Sequence, residues 1–106
     1  MNLQPNENCC CEEGASHFQN FIAVGGTLCL TNHRLHFTPK AGVADSHEWS
    51  LDLRLISDVQ LCKTMFMNPN GIAILMKDGN IENFIVDDRK AWKERIEREL
   101  KLKSIR

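Results

Sequence analysis

The chain has 106 residues, of which 42% are hydrophobic and 25% are charged, as in ordinary globular domains and unlike disordered or collagen-like chains. Thirteen basic residues against 14 acidic ones give a formal net charge of −1. Domains that bind nucleic acid usually carry an excess of basic residues, so no nucleic-acid partner is expected. The length predicts a single domain over residues 1–106, with its core at about residues 9–102.

The N-terminal sequence has neither the basic nor the apolar segment of a signal peptide. The longest apolar runs, such as Gly71 to Met76, are far too short for a membrane-spanning helix. We therefore expect a cytoplasmic protein. Its five cysteines, an odd number, argue against a disulfide framework and indicate reduced, half-buried strand residues. The polar segment 1–8 is expected to be a loose lead-in.

The first part of the chain predicts short strands separated by glycines. Cys9 to Glu13 is a candidate strand that ends at Gly14, and strand alternation would put Cys9 and Cys11 on one face. The stretch His17 to Val24 contains the apolar residues Phe18, Phe21, Ile22 and Val24 and meets Gly25-Gly26, a pair typical of turns.

The stretches Thr27–Thr31 and Arg34–Thr38 alternate between apolar and polar residues around Asn32-His33. This pattern predicts a β-hairpin. Its apolar face consists of Leu28 and Leu30 opposite Leu35 and Phe37.

Further strands are predicted over residues 48–53, 56–61, 71–76 and 80–86, the last two joined by the turn residues Asp78-Gly79. After residue 86 the apolar residues recur every fourth position instead of every second. Asp87 or Asp88 can cap a helix on which Trp92, Ile96 and Leu100 share one face. About seven antiparallel strands would expose an apolar face unless they curled into a partly open barrel, plugged by this helix and its Trp92.

Three fragments carry a family resemblance. Ala23 to Phe37 is similar to the pattern G-x-L-x-L-T-x-x-R-L-x-F, and Ser50 to Val59 is similar to I-P-L-x-D-I-x-x-V. The third runs from Lys77-Asp78-Gly79 to Phe84-Ile85-Val86, followed by Arg89 and Trp92. In this order they resemble the GRAM domain of the pleckstrin-homology-like superfamily. The resemblance implies a mainly β, partly open barrel with a C-terminal helix and a non-catalytic binding role.

The motif residues have expected structural roles. Gly25 and Gly26 would permit a tight bend, and Thr31 and Asn32 would bond back to the hairpin backbone. Arg34 would brace loop carbonyls or a carboxylate. The chain departs from the family pattern at Asp52, where proline is common, and at Leu55, where a polar or acidic residue is common. We expect a more apolar surface there.

The resemblance would imply the superfamily's phosphoinositide pocket, whose converging cations usually come from the first two strands and their loop. Residues 1–33 contain no Lys or Arg, so this pocket is not expected. Residues 89–106 instead carry eight basic and three acidic residues. Lys93 and Lys101 are therefore candidates for contact with a membrane or an acidic partner. The alternative is a solvated helix face with i,i+4 pairs such as Glu94–Arg98 and Glu97–Lys101.

Met65-Phe66-Met67 precedes a turn and is the best apolar candidate for a contact surface. If exposed, it would insert in a bilayer or dock a partner, and if folded back it would cover a barrel end.

Metal binding and catalysis have little support. The cysteines at 9–11 and the histidines at 17, 33, 36 and 47 fit no zinc spacing, and His36 is expected on the outer side of its strand. No catalytic motif is present. Asp87-Asp88 indicates a helix start, and Arg89 would form an ion pair there. No metal, no cofactor and no enzymatic activity are therefore expected.

The leading hypothesis is a cytoplasmic, non-catalytic module that recognises a protein partner. The first alternative is peripheral binding to anionic lipid through residues 65–67 and the basic helix. The second is homo-oligomerisation through an exposed strand edge or an apolar loop.

Overall fold

A computed structural model describes residues 3–19, 22–40, 48–62 and 70–104. The elements are β1 (Cys9–Gln19), β2 (Ile22–Thr31), β3 (Arg34–Pro39), β4 (Trp49–Asp52), a 3-10 turn (Leu53–Leu55), β5 (Ile56–Cys62), β6 (Gly71–Met76), β7 (Ile81–Val86) and α1 (Arg89–Ser104). All strands pair antiparallel in one open sheet of order β4-β3-β2-β1-β7-β6-β5. The predicted fold class is confirmed.

The core lies between the inner face of this sheet and α1. Trp92 and Ile96 are fully buried in the core cluster, and Leu100 packs against it. The helix therefore uses the predicted face, and Trp92 fills the core as expected. Burying such large apolar side chains supplies the main driving force for closing the sheet around the helix.

Both predicted hairpins are present. Leu28 lies opposite Phe37 and Leu30 opposite Leu35, and all four side chains are fully buried. The β6–β7 turn uses Gly79 at φ 94°, a conformation that glycine adopts without strain. Asp88 caps α1, since its Oδ1 accepts the Ala91 N–H at 3.1 Å.

The 3-10 turn Leu53–Leu55 ties together one end of the fold. The Leu53 N–H donates to the His33 carbonyl at 3.0 Å, and the Lys77 N–H donates to the Leu55 carbonyl at 2.9 Å. The turn thus joins the β2–β3 hairpin to the β6–β7 hairpin. Its cap is Asp52, whose Oδ1 accepts the Arg54 N–H at 2.8 Å.

The predicted end of the first strand at Gly14 is wrong. β1 continues through Gly14 to Gln19, paired with β2 along its length and with β7 from Ala15 to Phe18. Hydrogen bonds to a neighbouring strand outweigh the weak local preference of one glycine for a break.

The predicted turn at Gly25-Gly26 is also wrong, because both residues lie inside β2. Gly26 is needed for close approach rather than for a bend. A Cβ there would overlap the Thr38 carbonyl oxygen and lie 2.7 Å from Cζ of Phe37 and 2.9 Å from Cα of Pro39. A Cβ on Gly25 would meet only the flexible end of Lys40, at 3.3 Å.

The prediction that Cys9 and Cys11 share one face of the sheet is wrong, because β1 contains a β-bulge between them. Cys9 lies opposite Thr31 while Cys11 lies opposite Leu30, so two steps along β1 match one step along β2. Cys11 packs against the core, whereas Cys9 is exposed and lies beside Cys29. Cys9 and Cys11 therefore do not share a face.

Candidate functional site

A shallow groove of about 360 Å³ lies at the end of the fold that the 3-10 turn closes. Its apolar floor is formed by Leu53, Ile56 and Leu100, and the cations on its rim are Arg54, Lys77, Lys101 and Lys103. A second depression shares Arg54 and Lys103 and adds His33 and Asp52. We call the four cations and the surface around them the basic end.

The topology explains why these cations converge although they lie far apart in sequence. Arg54 comes from the 3-10 turn and Lys77 from the β6–β7 turn, which share a backbone hydrogen bond between Lys77 and Leu55. Lys101 and Lys103 lie in the last turn of α1, where positive charge interacts favourably with the helix dipole.

One carboxylate, that of Asp52, lies among the cations of the basic end. Arg54 holds the Asp52 carboxylate, with Nη2–Oδ2 at 2.9 Å and Nε–Oδ1 at 3.2 Å. This hydrogen bonding lowers the pKa of Asp52 against the opposing effect of partial burial, and the charge of Lys103 lowers it further. The described residues that line the two depressions thus include four cations and one carboxylate.

Two exposed leucines are neighbours of these cations in sequence. Leu55 follows Arg54 and is 52% exposed, and Leu102 lies between Lys101 and Lys103 and is 53% exposed. The expectation of a more apolar surface at Leu55 fits this exposure. This end of the fold therefore exposes apolar side chains as well as charge, and surfaces that lie against a bilayer combine the two.

The structure separates the two lysines that the sequence singled out. Lys101 lines the groove, whereas Lys93 donates to Glu97 at 2.6 Å further back along the helix. Met65, Phe66 and Met67 lie outside the described residues. Sequence reasoning missed Arg54, Lys77 and Lys103 as a group, because only folding brings them together. The one local feature of the sequence that pointed to this surface was Leu55, which stands where the family pattern commonly has a polar or acidic residue.

The motif residues hold the adjacent β2–β3 turn. Thr31 Oγ1 accepts the N–H groups of His33 and Arg34 at 3.1 and 3.0 Å, as predicted. Among the described residues, the partners of the Asn32 side chain lie outside the hairpin. This side chain accepts the Asn8 N–H at 2.7 Å and donates to the Asn6 carbonyl at 3.0 Å.

The prediction of a loose lead-in over residues 1–8 is wrong for residues 3–8, which the structure describes. The buried Glu7 holds this segment in place. Arg34 meets its carboxylate with Nε–Oε2 at 2.9 Å and Nη2–Oε1 at 3.2 Å, so the carboxylate role predicted for Arg34 is confirmed. Thr31 donates to the same carboxylate at 2.7 Å. This cluster positions the His33 turn beside the basic end.

The other polar candidates have structural contacts. His17 is buried, stacks on Phe84 with ring centroids 4.5 Å apart and contacts Glu82 through Nε2 at 3.0 Å. His36 is also buried rather than open to solvent, and its Nε2 contacts Glu48 at 3.0 Å. Arg89 donates to the Cys62 carbonyl at 3.1 Å, which replaces the predicted helix-start ion pair.

Within the described ranges, no three His, Cys, Asp or Glu side chains are grouped so that they could hold a metal ion; His47 lies outside those ranges. In the same part of the chain, no helix is both long and apolar enough to span a membrane.

Comparisons with known proteins show the fold. No family profile and no curated protein sequence matches the chain. Among solved structures, the Vps36 N-terminal PH domain superposes with a TM-score of 0.81 at 14% identity over 99% of this chain and 87% of its own. The C-terminal domain of an unknown Leishmania infantum protein gives 0.74 at 17% identity, over 91% and 87%.

The Slm1 PH domain in complex with inositol-4-phosphate gives a TM-score of 0.65 at 16% identity, over 87% of this chain and 97% of that one. At these identities the likeness establishes the pleckstrin-homology-like fold and leaves the ligand to be argued from the chain's own residues.

Proposed function

We propose that this chain is a non-catalytic binding module of the GRAM type within the pleckstrin-homology-like fold, and that it attaches to an anionic membrane surface through the basic end. The observation that carries the proposal is the convergence of Arg54, Lys77, Lys101 and Lys103 around one groove. Inositol-4-phosphate bound to the Slm1 PH domain is a phosphorylated headgroup on the same fold, and it supports an anionic ligand.

Electrostatics supports a membrane as the partner. Each lysine or arginine near an anionic leaflet contributes about 1 kcal/mol of attraction, so several acting together give useful affinity. The attraction weakens within a Debye length, which favours cations that project from one end of a molecule. Lys77 and Lys101 meet this requirement because both are exposed at the rim.

The apolar contribution comes from Leu55 and Leu102, each about half exposed and each next to a cation of the basic end in sequence. Leucine side chains gain free energy when they enter the boundary between headgroups and acyl chains. An acidic soluble protein would attract the same cations but would need an apolar pocket shaped for each leucine, whereas the boundary of a bilayer accepts both without a matching shape. The leucines therefore favour a membrane over the protein partner of the leading sequence hypothesis.

Sedimentation with vesicles tests the proposal. We expect the chain to sediment with vesicles of phosphatidylcholine and phosphatidylserine, to stay in solution with phosphatidylcholine alone, and to dissociate as salt is raised. An absence of binding at low salt would reject the membrane and turn the search to an acidic protein partner.

A pair of double variants locates the apolar contact. Leu55→Ser/Leu102→Ser should weaken vesicle binding several-fold, because it removes the side chains that would insert. Met65→Ser/Phe66→Ser alters the apolar segment that the sequence singled out. If the second pair abolishes binding and the first leaves it unchanged, the membrane contact is at residues 65–67 and not at the basic end.

A further inference from the structure

The thiols of Cys9 and Cys29 lie side by side on neighbouring strands. Their sulfur atoms are 3.3 Å apart, and both cysteines are free. A disulfide bond is about 2.05 Å long, so bond formation requires the two sulfurs to approach by about 1.3 Å. Cys9 is exposed while Cys29 is 3% exposed, so a reagent reaches one thiol and not the other.

The β-bulge in β1 creates this proximity. In a regular ladder that continued from Cys11 opposite Leu30, Cys9 would lie opposite Asn32 and share the face of Cys11. The bulge instead sets Cys9 opposite Thr31, on the face that carries Cys29. The displaced residue, Cys10, is exposed, and Cys11 contacts Arg95 at 2.9 Å. Of the three consecutive cysteines, the register thus selects Cys9.

We propose that Cys9 and Cys29 form an oxidative modification site, at which a small disulfide such as oxidised glutathione converts the two thiols into an intramolecular disulfide. Cys9 loses its proton and attacks one sulfur of the reagent, whose S–S bond breaks to release one glutathione thiolate. Cys29 then loses its proton and attacks the Cys9 sulfur, releasing the second glutathione. Two protein thiols are oxidised, one glutathione disulfide is reduced, and the two protons pass to the two thiolates.

The environments of the thiols fit this order of events. Burial, together with the neighbouring Cys9, raises the pKa of the Cys29 thiol to about 12, so Cys29 is a poor first nucleophile. It becomes the resolving thiol only when Cys9, whose sulfur lies 3.3 Å away, carries a leaving group. The product would fasten the start of β1 to β2, directly after the buried Glu7.

Peptide mapping after incubation with oxidised glutathione tests the site. Trypsin would leave both cysteines on one peptide, since residues 1–33 lack Lys and Arg. Cleavage after glutamate separates residues 8–12 from residues 14–48. We expect these two peptides to be cross-linked, and the whole chain to lose two hydrogen atoms.

Matched serine variants identify the thiol. Cys10→Ser should form the same cross-link as the unchanged chain, and Cys9→Ser should form none. A cross-link that survives Cys9→Ser, or one that joins two chains, would overturn the proposal.

Thermal unfolding provides a second measurement that does not depend on peptide mapping. Oxidation should raise the midpoint by about 5 °C or more in the unchanged chain and in Cys10→Ser, because closing the loop between the two cysteines restricts the unfolded state. Dithiothreitol should reverse the rise. No rise on oxidation, or an equal rise in Cys9→Ser, would also contradict the proposed pair.

Discussion

The carboxylate of Glu7 is fully buried and is held by the guanidinium of Arg34, with Nε–Oε2 at 2.9 Å and Nη2–Oε1 at 3.2 Å. Thr31 donates to one carboxylate oxygen, and the Gln4 N–H donates to the other at 2.8 Å. A buried charge with this many donors is compensated, and it fixes the N-terminal segment to the β2–β3 turn.

Removal of Arg34 should therefore be costly. Arg34→Met leaves the Glu7 carboxylate buried without its main partner, and we expect a loss of about 3 kcal/mol in the free energy of unfolding, measured in urea. Arg54→Met is the matched control, because Arg54 pairs with Asp52 in solvent and its removal should change the free energy of unfolding far less. Equal losses in the two variants would contradict the structural role of Glu7–Arg34.

The same carboxylate makes stability depend on pH. Burial alone would raise the pKa of Glu7, but hydrogen bonds from Arg34 and Thr31 outweigh it and lower the pKa from 4.5 to about 2. The folded pKa lies below the unfolded one, so the stabilisation is complete above pH 4.5 and is lost as the pH falls toward 2. The contribution is at most about 3 kcal/mol.

Urea unfolding of Glu7→Gln measures this contribution. Its stability should differ from that of the unchanged chain most at pH 7, and the difference should shrink between pH 4.5 and 2.5. A difference that stays constant over this range would show that Glu7 keeps its ordinary pKa.

Gly26→Ala should destabilise the fold by about 3 kcal/mol, because the added methyl group overlaps the backbone of β3 at Thr38 and Pro39, which cannot move without breaking the ladder. Gly25→Ala is the control and should be nearly neutral, since only the flexible end of Lys40 must give way. Unfolding midpoints in urea distinguish the two. A larger loss of stability in Gly25→Ala than in Gly26→Ala would contradict the close packing of Gly26 against β3.

Asp88→Ala should cost about 1 kcal/mol, because the Ala91 N–H loses its capping partner. Asp87→Ala removes the same charge from the preceding exposed position and should cost less than half as much. If thermal unfolding ranks the two variants the other way, the helix cap is Asp87.

Periodicity predicted most of the fold. The alternation around Leu28 and Phe37 and the spacing of Trp92 and Ile96 depend on burial against the same core, so local pattern and tertiary structure agree there. The pattern failed at Gly14 and Gly26, where pairing with neighbouring strands decides the conformation. The role of Glu7 could not be predicted, because its partner Arg34 lies 27 positions along the chain.

The candidate site was predictable only in part. The excess of positive charge on the last helix indicated Lys101, but Arg54 and Lys77 are single cations in mainly acidic surroundings of the sequence. Only the contact between the 3-10 turn and the β6–β7 turn places them beside the helix end.

Charge reversal distinguishes a membrane contact at the basic end from a general effect of net charge. Lys77→Glu/Lys101→Glu should reduce binding to phosphatidylserine-containing vesicles by at least about tenfold, since each reversal replaces attraction by repulsion near the surface. Lys90→Glu/Lys93→Glu changes the net charge equally at the opposite end of α1 and should retain most of the binding. Equal losses in the two double variants would show that net charge alone drives attachment, and would contradict a contact at the basic end.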